Sequence, residues 1–120
     1  MYKLLISDDD EIICQGLASC IPWQKYGIEV TAAVCDGETA LQCVKERRPD
    51  IALVDINMPF MDGMEFTEEA KRIFPELKII LITAYREFEY ARKAIELNVS
   101  DYVTKPFSNE DVLAAVLKAK

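Results

Sequence analysis

Ile51-Ala52-Leu53-Val54-Asp55 is an unbroken apolar run that ends on a carboxylate. It leads into Ile56-Asn57-Met58-Pro59-Phe60-Met61-Asp62-Gly63, a stretch rich in turn formers. Four apolar residues without polar alternation fit a strand covered on both faces, as in a parallel sheet. Working outward, Leu4-Leu5-Ile6, Val30 to Val34, Ile79 to Ile82 and the shorter Tyr102-Val103 have the same character. Helical spacing fills the intervals. Ile13, Leu17 and Cys20 share one face of a first helix, and Ala40, Leu41 and Val44 mark a second. Phe66, Ala70, Ile73 and Phe74 mark a third, which Pro75 stops. Phe88, Ala91 and Ile95 mark a fourth, with Asn98 as a left-handed cap. Ser108 with Asp111 reads as a capping box ahead of a last stripe, Val112, Leu113, Val116 and Leu117.

Five strand–helix units in succession predict an α/β domain: a doubly wound, five-stranded parallel sheet with helices on both faces. Right-handed crossovers leave few strand orders, and 2-1-3-4-5 is favoured. A length of 120 residues, without linker, repeat or low-complexity stretch, predicts one domain over residues 1–120. Pro22-Trp23 with Tyr26-Gly27 lengthens the first helix-to-strand connection and is expected to plug the core.

Composition narrows the function. Apolar residues make up 51% and charged residues 29%, which excludes a disordered chain. The longest apolar run falls far below the ~18 residues of a bilayer span. No signal-peptide pattern opens the sequence, so a cytoplasmic location is expected. The net charge of -7 makes the chain a poor binder of nucleic-acid phosphates by itself. There is no histidine, which removes Ser-His-Asp and Cys-His catalysis and the commonest zinc sites. Cys14, Cys20, Cys35 and Cys43 form no C-x-x-C pair and are expected as small hydrophobic side chains of the core in a reducing cytoplasm.

Ligands of open α/β sheets bind beyond the carboxyl ends of the strands, near the point where strand order reverses. Asp8, Asp9 and Asp10 follow the first strand, Asp55 the third, Thr83-Ala84 the fourth and Lys105-Pro106 the fifth. Two unit charges ~4 Å apart repel by about 4 kcal/mol at an effective dielectric of 20, so such carboxylates imply a hard divalent cation, best Mg²⁺. Asp10 and Glu11 suit a helix N-terminus instead. The Asp55 carboxylate is a competent phosphoryl acceptor. Lys105 supplies positive charge and Thr83 a hydroxyl donor for the incoming group.

Together, Asp8-Asp9, Asp55 to Gly63, Thr83-Ala84 and Asp101-Tyr102-Val103-Thr104-Lys105-Pro106-Phe107 resemble the receiver domains of two-component response regulators, over the whole chain. The resemblance implies a CheY-like fold of the flavodoxin type, with the strand order above. It implies phosphorylation of Asp55 by a histidine kinase, with Asp9 as the direct Mg²⁺ ligand and Asp8 acting through water. Asn57 would add its backbone carbonyl to the metal. Thr83 and Lys105 would contact the phosphoryl group, with Thr83 and the aromatic Tyr102 as switch residues. The Lys105-Pro106 bond is expected to be cis, and the side chains of Asn57 and Tyr85 would tune dephosphorylation. A homodimer would form through helix 4, strand 5 and helix 5. The domain would be no enzyme beyond its own phosphorylation and dephosphorylation.

Asp10-Glu11 departs from the family's acid triplet and leaves open a slip to Asp9-Asp10 as the pair. Packing alone is the other account of Tyr102. Pro22-Trp23, Tyr26 to Val30 and Tyr85 to Ala91 resemble receivers placed before AraC-type helix-turn-helix domains. DNA would then be reached only through such an output domain; a single-domain receiver is the alternative. From other classes, Asp8-x-Asp10 weakly matches the haloacid-dehalogenase phosphatases. The strand order also suits an FMN carrier, although three aspartates would repel the FMN phosphate.

Overall fold

The computed structural model describes residues 1–84 and 99–120. Five strands form one sheet: β1 (Tyr2–Ser7), β2 (Ile28–Val34), β3 (Ile51–Asp55), β4 (Lys78–Ala84) and β5 (Asp101–Lys105). All pairings are parallel and the order is β2-β1-β3-β4-β5, as expected. Among the described residues the helices are α1 (Glu11–Cys20), a 3₁₀ turn (Trp23–Tyr26), α2 (Gly37–Arg47), α3 (Gly63–Ile73) and a C-terminal helix (Asn109–Ala119). The expected fourth helix, with Phe88, Ala91, Ile95 and the Asn98 cap, lies outside the described residues, as do Tyr85 and the rest of the Tyr85 to Ala91 motif.

Alternate residues of each strand feed two apolar layers. Leu4, Ile6, Leu53, Ile80 and Ile82 pack with Leu17 of α1 and with Val112 and Val116 of the C-terminal helix. Leu5, Val54, Ile79 and Leu81 pack on the other face with Val44 of α2 and with Phe66 and Ala70 of α3. The central strand β3 is buried along its whole length, which is why its sequence shows no alternation. Edge strand β2 is covered less, and only Ile28 is fully enclosed.

Local chemistry fixes the helix ends. Asp10 caps α1 by accepting from the amides of Ile12 and Ile13, and Asp36 caps α2 through Thr39. Asp62 caps α3 through Met64 and Glu65, and Ser108 with Asp111 forms the expected capping box. Trp23 plugs the first layer as expected, its indole N–H donating to the Leu17 carbonyl at 2.9 Å. Three expectations about burial need correction. Leu117 is exposed, because its position has turned past the apolar stripe of the C-terminal helix. Cys20 and Cys35 are exposed too, one at the last residue of α1 and the other just beyond β2, and only Cys14 is buried.

Candidate functional site

The carboxyl edge of the sheet gathers the chemistry. β1 delivers Asp8 and Asp9 just past Ser7, and β3 ends on Asp55. One carboxylate oxygen from each of these three residues lies within 4.8 Å of the others. Asp8 and Asp55 are buried, whereas Asp9 is exposed. Asp10 is turned away from this group and spent on the α1 cap, so the geometry favours Asp8-Asp9 over the slipped pair.

The two buried carboxylates are held from the backbone. Asp8 accepts from the Asp10 amide at 2.9 Å through Oδ1, while its buried Oδ2 has no hydrogen-bond partner among the described residues. Asp55 accepts from the Asn57 amide at 3.3 Å through Oδ1, and the Lys105 ammonium donates to its Oδ2 at 3.1 Å. Thr83 is buried on β4, one residue beyond Ile82, the partner of Asp55 across the β3–β4 ladder. The Lys105-Pro106 bond is cis, as expected. Tyr102 is 46% exposed on β5.

These positions carry an electrostatic cost. Burial and then the charge of Asp8 push the Asp55 carboxyl up to about 7, against the pull of Lys105. Asp8 is also raised, chiefly by burial. Burial works to lower the Lys105 ammonium, but its hydrogen bond to Asp55 and the charges of Asp55, Asp8 and Asp9 outweigh that and raise it. Three hard oxygen donors, on a cluster whose Asp8 also carries a buried oxygen unpaired among the described residues, fit a hard divalent cation.

The loop after Asp55 is tightly built. Ile56 donates to the Ile82 carbonyl at 3.0 Å, Gly63 to the Ile56 carbonyl at 2.8 Å and Met61 to the Pro59 carbonyl at 2.8 Å. A side chain on Gly63 would come within 2.6 Å of the Asp55 carbonyl oxygen, so the turn into α3 accepts only glycine. Asn57 and Phe60 are exposed, Phe60 with a positive φ of 68°. Sequence reasoning missed Ser7, whose hydroxyl lies 2.8 Å from the Met58 sulfur and 3.4 Å from the Asp36 carbonyl oxygen. A lone hydroxyl closing an apolar strand was the available signal.

A doubly wound sheet with this acidic edge and its lysine defines a class of α/β signalling domain. The chain matches the family model of the response regulator receiver domain over residues 4–117, and it belongs to that family. It is 31% identical over 116 residues to the uncharacterized transcriptional regulatory protein YesN of Bacillus subtilis, covering 97% of this chain and 32% of the relative. The REC domain of AraT, a response regulator from Geobacillus stearothermophilus, superposes with a TM-score of 0.90 at 39% identity. That match covers 98% of this chain and 92% of the other. The chemotaxis protein CheY4 of Vibrio cholerae gives 0.87 at 28% identity, covering 100% and 99%. The chain spans about a third of the length of the Bacillus relative.

Proposed function

We propose that the domain is a phosphorylation switch with Asp55 as the acceptor. The observation that carries this is the placement of Asp55: buried at the end of the central strand, among the carboxylates of Asp8 and Asp9, with the Lys105 ammonium 3.1 Å away. An Asp55 carboxylate oxygen attacks the phosphorus of a kinase phosphohistidine. The P–O bond forms, the P–N bond breaks, and an acyl phosphate remains. Mg²⁺, held by Asp8, Asp9, Asp55 and the Asn57 backbone carbonyl, would supply charge neutralisation for this transfer. Lys105 then shares its charge between Asp55 and the new phosphoryl oxygens, and the Thr83 hydroxyl donates to one of them. The modification adds roughly two negative charges and three acceptor oxygens. Thr83 follows them and Tyr102 turns inward, which alters the surface around β5.

The partners follow from this chemistry. A histidine kinase donates the group, and the exposed Ile12 and Phe60, on segments next to Asp9 and Asn57, offer it apolar contact. The β5 edge and the C-terminal helix offer a face for a second copy. An AraC-type output domain beyond the receiver would make the whole a transcription regulator, in keeping with the Bacillus relative, a transcriptional regulatory protein by name. A single-domain receiver remains the plainer form. Among the described residues no helix is long and apolar enough to cross a membrane, and we place the domain in the cytoplasm. It acts as no enzyme beyond its own phosphorylation and dephosphorylation.

The test is labelling by acetyl phosphate with Mg²⁺. Asp55→Asn should abolish the acid-stable, base-labile label. Undiminished labelling, or a label mapped to Asp8, overturns the assignment.

A further inference from the structure

Helix α2 contributes no side chain to the acidic cluster, yet the loop that follows Asp55 comes to rest on its first turn. Gly37 is buried there, and a Cβ on it would overlap the Met61 carbonyl oxygen and come within 2.8 Å of the Met61 Cβ. The obstacle is backbone, so a side chain at 37 must displace the loop. That loop has little slack. Met61 is tied to Pro59, Phe60 is held at positive φ, and Gly63 is pressed against Asp55 and Ile56. A second tether comes from β1, where the Ser7 hydroxyl meets both the Met58 sulfur and the Asp36 carbonyl beside Gly37.

We propose that Gly37 is a positioning residue for the cation site: its missing side chain sets where the Asn57 backbone lies relative to Asp55, with Ser7 as the second anchor. This rests on the reading that Asp8, Asp9, Asp55 and the Asn57 carbonyl hold the metal. Displacing Met61 moves a short, braced loop as a unit, and Asn57 is at its other end. Mg²⁺ demands near-ideal octahedral geometry at about 2.0–2.1 Å, whereas Ca²⁺ accepts variable geometry at about 2.3–2.6 Å. A displaced carbonyl therefore penalises Mg²⁺ more than Ca²⁺. Loss of global stability would weaken both alike.

Calorimetric titration of the folded protein with MgCl₂ and with CaCl₂ tests this in Gly37→Ala, Ser7→Ala, Asp55→Asn and Gly16→Ala. The last is a control, since a Cβ on Gly16 meets nothing within 4 Å. Gly37→Ala should bind Mg²⁺ about tenfold more weakly and Ca²⁺ less than about threefold more weakly, because only the smaller ion is intolerant of geometry. Ser7→Ala should shift the ratio in the same sense by a smaller factor, and Gly16→Ala should leave both affinities unchanged. Mg²⁺ affinity unchanged in both Gly37→Ala and Ser7→Ala, or lost in parallel with Ca²⁺, overturns the proposal while leaving the site intact. If Gly37→Ala does not fold, Ser7→Ala decides alone. If the parent protein binds Mg²⁺ no better than Asp55→Asn does, the metal reading itself fails and takes this proposal with it.

Discussion

Asp55 makes its surroundings pH-sensitive. Its carboxyl titrates near 7 in the folded chain against an ordinary value of 3.8, because burial and Asp8 disfavour its charge. A raised folded value means that the stabilising contribution is complete below pH 3.8 and is lost as pH rises through 7. The slope is at most ~1.4 kcal/mol per pH unit. Without divalent cations, urea denaturation from pH 4.5 to 8 should show the parent protein losing stability relative to Asp55→Asn. Parallel profiles would contradict the geometry of the cluster. Saturating Mg²⁺ should reverse the loss, adding about 2.7 kcal/mol at one hundred times its dissociation constant. EDTA should remove that gain, and Asp55→Asn should show little of it.

The first turn of α1 separates two kinds of aspartate that look alike in the sequence. Asp10→Ala removes the acceptor for two helix amides and should cost about 1 kcal/mol, leaving Mg²⁺ affinity within about twofold. Asp9→Ala should do the reverse, losing metal affinity with little change in stability. Chemical denaturation and metal titration on the two variants read these effects separately. Exchanged outcomes would mean that the acidic pair is Asp9-Asp10. The sequence suggested this division, since Asp10 follows a strand and precedes a helical stripe. It could not settle it, because a one-residue slip preserves the same residue types.

Across the whole molecule, the doubly wound layout was legible because buried strands leave continuous apolar runs and helices leave spaced ones. The strand order was less independent, since the likeness to receivers implies the same order. Convergence of Asp8, Asp55 and Lys105 was legible from the rule that ligands gather at strand ends. Contacts such as Ser7 with Met58, or Gly37 with Met61, were not legible. They join segments far apart in the chain, and no local pattern marks them. Side-chain exposure at element ends was hidden for a similar reason, as Cys20 and Cys35 illustrate. Cys20 and Cys35 should therefore react with a thiol reagent in the native protein. Cys14, buried and with its thiol pushed up to about 11, should react only on unfolding. Mass spectrometry of the labelled peptides checks this, and native modification of Cys14 would contradict the packing of α1 on the sheet.

Trp23, the single tryptophan, is enclosed in the 3₁₀ turn that leads into the beginning of β2, whereas the acidic cluster lies past the opposite ends of the strands. Intrinsic emission on excitation of the indole will thus follow global unfolding and stay nearly silent when an ion arrives. An optical sensor for the ion would need its fluorophore on the other rim, and the solvent-facing ring of Phe60 marks a place where an indole can be installed at little structural cost.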